Sequence, residues 1–237
     1  MRKGLYVLLM IALMLGLCSC NTFEDTPETE AAFDAYEAAV RQSIAHKKGS
    51  IIVETKNKDT IEKTETLGVI DYDFTTDEED KVSFERKDYT DGALVASYYG
   101  DGTKAFQMDL ETEKWVDVTE DSKAMLDHNK NYMNTLSLFR IDNQFRYSKH
   151  FYESLTMTEE AGKKVIVFTL KSSAVTKMFE FSDEREIQRN MASQTRTYYV
   201  NEAGDLEKIV IDTLQDIVYK GNEGQLANTI TVTMDYE

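Results

Sequence analysis

Apolar and polar residues follow two different periods along the chain. Phe33, Tyr36, Val40 and Ile44 recur at helical spacing and form one stripe. Thr26-Pro27-Glu28 supplies an N-cap, a proline at the first helical position and acid in the first turn. His46, Lys47 and Lys48 are expected in the last turn, with Gly49 as the stop. From Ser50 the period falls to two. The alternation predicts strands over 50–57, 61–75, 81–89, 93–99, 104–110 and 115–119, separated by turn signals such as Asp91-Gly92 and Gly100-Asp101-Gly102.

A second helix is expected over 120–140, with Met125, Asn129, Met133 or Tyr132, Leu136 and Phe139 on one stripe. Strands resume at 147–157 and 163–171, and a short helix is expected around 174–181. The chain finishes with strands at 194–200, 206–219 and 225–236. In the last strand Leu226, Ile230, Val232, Met234 and Tyr236 share one face, and Ala227, Thr229, Thr231, Thr233 and Asp235 share the other. Connections this short cannot hold helical crossovers, so neighbouring strands should be antiparallel. The expected class is α+β: one large antiparallel sheet of about eleven strands, with an N-terminal and a mid-chain helix on one face. So wide a sheet should curl.

The extreme N-terminus has a different pattern. Arg2 and Lys3 precede an uncharged run from Leu5 to Leu17. Its helix would rise only about 20 Å, and a bilayer core needs about 20 residues. The run is read as the apolar region of a signal peptide. It ends Leu17-Cys18-Ser19-Cys20, which resembles the lipobox of bacterial lipoproteins, with Leu17 at −3 and Ser19 at −1. Cys18 departs from the small residue usual at −2. The resemblance implies cleavage of residues 1–19 and a diacylglycerol on Cys20. Two acyl chains anchor stably where one does not. Residues 20–27 would then be a short linker beside the membrane, and 28–237 a single domain.

Composition removes several functions. The formal net charge is −16, and the leader contributes only positive charge, so the exported part is more acidic still. Such a chain is repelled by nucleic-acid phosphates. With Cys20 lipidated and Cys18 removed, no thiol is left for a disulfide, a nucleophile or a metal. The three histidines, His46, His128 and His150, have no acidic or histidine partner at metal-ligand spacing. No nucleophile elbow, phosphate loop or zinc-protease helix is present. No cofactor and no catalytic residue are expected. Asp71-Tyr72-Asp73 with Asp77-Glu78-Glu79-Asp80 lacks the glycine and closing glutamate of an EF-hand loop, and reads as a solvated acidic turn.

The order of elements, with the stretches Tyr98-Tyr99-Gly100-Asp101-Gly102-Thr103-Lys104-Ala105-Phe106, Trp115-Val116-Asp117 and Tyr198-Tyr199-Val200-Asn201-Glu202-Ala203-Gly204-Asp205-Leu206, resembles the LolA-like lipoprotein-carrier superfamily, which includes LppX-type lipoproteins. The resemblance implies a half-open barrel whose concave face binds acyl chains, and it fixes no ligand residue by motif. The helix stripe adds candidates: Met125, Leu126, Met133, Leu136 and Phe139 would face the sheet, as ordinary core or as the lining of a pocket. Two functions follow for an extracytoplasmic protein held to the membrane. One is a binding module for a lipid or other apolar ligand. The other is an envelope interaction or sensory protein with a closed core.

Overall fold

Thr26 fixes where the first helix begins. Its Oγ1 accepts the N–H of Thr29, and the Oγ1 of Thr29 accepts the N–H of Thr26 at 3.0 Å. This reciprocal pair is a capping box with threonine in the place of the usual glutamate. The computed structural model describes residues 26–127, 151–180 and 187–237. Helix α1 runs Pro27–Ala45 and buries Ala32, Phe33, Tyr36, Ala39 and Val40, the face its periodicity predicts. The stop differs from expectation. His46 caps the helix in extended conformation, so His46, Lys47 and Lys48 lie beyond its last turn. Gly49 belongs to the first strand, where a Cβ would lie 2.5 Å from the Asp235 carbonyl oxygen.

Eleven strands follow: β1 Lys48–Asp59, β2 Thr64–Thr76, β3 Val82–Thr90, β4 Ala93–Asp101, β5 Ala105–Asp109, β6 Lys114–Asp117, β7 Tyr152–Glu160, β8 Lys163–Leu170, β9 Ile187–Val200, β10 Leu206–Tyr219 and β11 Asn222–Tyr236. Helix α2, Ser172–Glu180, lies between β8 and β9 and packs on β9. All strands join one antiparallel sheet in the order β6-β5-β4-β3-β2-β1-β11-β10-β9-β8-β7. Each half is a meander of hairpins, and the halves meet where β1 pairs with β11. β6 and β7 stand at opposite edges, so the sheet is open and not a closed barrel. The α+β architecture expected from the alternating pattern is present.

Two boundaries moved. A continuous helix over 120–140 does not form across its first turns. Lys123–Leu126 is a single 3-10 turn, and Asp127 is already extended and bridges to Lys81. The remainder of that expected helix, from 128 onward, and the start of the strand expected at 147 lie outside the described residues. β9 begins at Ile187 instead of 194.

The core lies on the inner face. Ile51, Val53, Tyr72, Phe74, Val82 and Phe84 cover one wing, and Ile166, Phe168, Leu170, Tyr198, Ile209 and Ile211 the other. Helix α1 closes the second wing. Phe33 meets Phe168 edge-on at 5.4 Å and Tyr152 at 5.7 Å, and Tyr36 meets Tyr198 at 4.7 Å. Edge-on aromatic pairs add about 0.5–1.5 kcal/mol each to the burial of their area.

Candidate functional site

The inner face divides into two territories. α1 packs on β7 and β10. Its last turn is tied to the β9–β10 turn: Gln42 Nε2 donates to the Ala203 carbonyl at 2.6 Å, and His46 Nε2 meets Asp205 Oδ1 at 2.7 Å. The ring of His46 stacks on Tyr236 at 4.4 Å. This histidine therefore serves to dock the helix. His128 and His150 lie outside the described residues.

On the β7–β10 side the inner face also holds polar groups. Arg196 Nε donates to Gln194 Oε1 at 2.7 Å, and Gln194 Nε2 donates to Thr213 Oγ1 at 3.0 Å. All three side chains are buried. Burial pushes the Tyr198 phenol up, while the Arg196 charge and hydrogen bonds from Arg196 and Tyr36 draw it down. Burial likewise raises Tyr152.

The other territory, over β1–β5, is apolar. Ile51, Val53, Ile70, Tyr72, Phe74, Val82 and Phe84 face inward. Its border is Arg86, which grips Asp88 through Nε and Nη2 at 2.7 and 2.8 Å and lies 5.6 Å from the Tyr98 ring centroid. Of the five residues read as a ligand lining, Met125 and Leu126 are on this surface, half-buried against the core. Their 3-10 turn touches β3 and β5. Met133, Leu136 and Phe139, and the lipidation candidate Cys20, lie outside the described residues.

A cavity of about 610 Å³ opens on the opposite face of the same wing. Ser50, Asp73, Glu85, Tyr99 and Asp235 line it. No residue pattern pointed to it, because its walls come from five strands and only their register brings them together. Among the described residues no group of three His, Cys, Asp or Glu side chains could hold a metal ion. The Asp77–Asp80 turn is a local one: Asp77 Oδ1 accepts the N–H of Glu79 and of Lys81.

No family model matches the chain, and no curated protein matches it. Solved structures that resemble it include LprF from Mycobacterium bovis, 9% identical over 88% of this chain and 93% of that one, with a TM-score of 0.46. A LolA superfamily protein from Nitrosomonas europaea is 8% identical over 87% and 93%, with a TM-score of 0.29. The open antiparallel sheet is consistent with the half-open barrel that the LolA-like resemblance implied, and the described helices are the N-terminal one and the short one expected around 174–181.

Proposed function

We propose that this is an extracytoplasmic lipoprotein, cleaved after residue 19 and held to the membrane by a diacylglycerol on Cys20. Its domain, 28–237, is a binding module for an acyl chain or another apolar ligand. The ligand lies between the inner face of β1–β5 and the segment that starts at Met125, with Met125, Leu126, Met133, Leu136 and Phe139 as its lining.

One observation carries this reading. Helix α1 packs on the β7–β10 side, and the apolar inner face of β1–β5 meets two half-buried flexible side chains, Met125 and Leu126. Such side chains re-pack around apolar guests at low energy. No described helix is long and apolar enough to cross a membrane. In this reading the lipid on Cys20 is the attachment.

The test is native mass spectrometry of the full chain extracted from its own membrane. Non-covalent lipid released on activation, displaced by a fluorescent fatty acid and lost in Leu126→Trp, is the expected result. Absence of bound lipid together with failure of the fluorescent fatty acid to bind would refute the reading.

A second reading has its own support. Val82 and Phe84 are 0% and 4% exposed, so that wing is closed as it stands, and the cavity opens outward. An envelope interaction protein with a closed core would have these features. It would yield no lipid and would retain a specific envelope protein on affinity capture.

A further inference from the structure

The outward cavity has a regular construction. Gly49, Phe74, Phe84 and Gly100 are successive register partners on β1, β2, β3 and β4, and all four are buried. The Phe74 and Phe84 side chains face inward and the two glycines have none, so the four backbones form the floor. The next row outward is Asp235, Ser50, Asp73, Glu85 and Tyr99, again successive partners. Four strand spacings make this wall about 19 Å long. The short side chains of Ser50, Thr75 and Ser83 keep the groove open.

Its chemistry is one-sided. Asp73, Glu85, Asp235 and Glu237 line it, and the one lysine that lines it, Lys48, is paired with Glu237. Asp73 feels the crowding: burial and the charges of Asp71 and Glu85 hold its carboxyl above the ordinary range, against the opposing pull of Lys87. At the far end stands a flat aromatic wall. Tyr99 stacks on Phe106 at 4.7 Å and 15°, and Trp115 meets it edge-on at 4.7 Å and 87°.

We propose that this groove docks an extended, arginine-bearing segment of a partner protein. A guanidinium stacks on an aromatic face and forks onto a carboxylate, whereas an ammonium does neither as well. Excess carboxylate selects a cation. The described groups are not placed to chelate a metal ion. A wall of this length spans about five or six residues of extended chain, which favours a peptide over a small amine. The groove is on the face opposite the proposed apolar site, so the two proposals fail independently.

The experiment uses the full chain. Trp115 is the single tryptophan, so its emission reports directly beside Tyr99. The probes are acetyl-Arg-Gly-Arg-Gly-Arg-amide, its lysine counterpart, arginine amide and calcium chloride, followed by calorimetry and fluorescence. The arginine peptide is expected to saturate and to bind more tightly than the lysine peptide, with affinity falling as salt rises. Asp73→Asn with Glu85→Gln should weaken it roughly tenfold, the sum of two exposed charge pairs. Tyr99→Leu should erase the preference for arginine. Glu159→Gln with Glu160→Gln, an equal charge change at the edge strand β7, should leave affinity unchanged. The proposal is overturned if the arginine peptide does not saturate or the β7 pair weakens it as much as the groove pair. Arginine amide binding as tightly as the peptide, or calcium displacing the peptide at equal concentration, also overturns it.

Discussion

Ser43 Oγ accepts the backbone N–H of Leu206 at 2.8 Å, across 163 positions of sequence. Both residues are 0% exposed. The β9–β10 register shifts between Leu206 and Lys208, at the point where this bond is made. Helix α1 supplies the acceptor. Ser43→Ala removes it and strands a buried donor, at about 1–3 kcal/mol. Urea unfolding should show a lower midpoint with an unchanged slope.

Gly100 marks where the sheet meets the 3-10 turn. A Cβ there would lie 2.4 Å from Phe84 Cε1 and 3.1 Å from Leu126 Cδ2. Phe84 is buried and cannot swing away, so Gly100→Ala should destabilise by about 1–3 kcal/mol. A double-mutant cycle with Leu126→Ala, read by thermal melting, should show coupling between the two positions.

Acid should loosen the hairpin turns late. Asp101 Oδ1 accepts the N–H groups of Lys104 and Thr103, both at 2.8 Å, and the Thr103 hydroxyl at 2.7 Å. These bonds, the Lys104 N–H first among them, hold its carboxyl at about 2. Asp109 and Asp117 are lowered by the hydroxyls and N–H groups of Thr112 and Thr119, with Glu111 adding its N–H to Asp109. A carboxyl with a depressed folded pKa stabilises fully above its unfolded value of about 3.9 and stops doing so as pH falls through the folded value. Asp101→Asn should therefore melt earlier than the parent at pH 7, with the gap closing between about 4 and 2. Melting curves across that range test it.

Asp73 has the opposite sign. Its raised carboxyl means that ionisation opposes folding, a penalty present at neutral pH and gone below the unfolded carboxylate value of about 3.9. Asp73→Asn should raise the melting temperature at pH 7, and the two proteins should converge in acid. A lower melting temperature at pH 7 would contradict the crowding described around Asp71 and Glu85.

Cys20→Ser should leave the leader uncleaved and abolish labelling by radioactive palmitate. Labelling that persists in this variant would exclude Cys20 as the acylated residue.

Much of the sheet was legible because one face is apolar and the other wet. Strands β1 to β4 alternate, and Asp91-Gly92 suits a turn with positive φ at both positions, observed at 49° and 82°. β9 was cut short for a physical reason. The missed stretch, 187–193, reads Ile-Gln-Arg-Asn-Met-Ala-Ser with no regular alternation of hydropathy, and its pairing with β10 shifts register between Asp216 and Ile217. The helix expected from 120 failed at its start because Asp127 is drawn out to bridge Lys81, a contact 46 positions away that spacing cannot reveal. Within the candidate lining, Met125 and Leu126 were visible as apolar residues on a stripe, but their seat over β3 and β5 was not. The outer groove was invisible, since neighbours such as Ser50 and Asp235 become adjacent only through strand register.

The seam between β1 and β11 runs down the middle of the sheet and joins residues 49–59 to residues 226–236. Each meander can zip hairpin by hairpin from nearby partners, but this central ladder waits for the closing stretch of polypeptide. Long-range closure of this kind slows maturation. A chain emerging N-terminus first would carry an exposed β1 edge until residues 222–236 arrived. Early termination would leave that edge bare in the middle of the protein, where it invites aggregation.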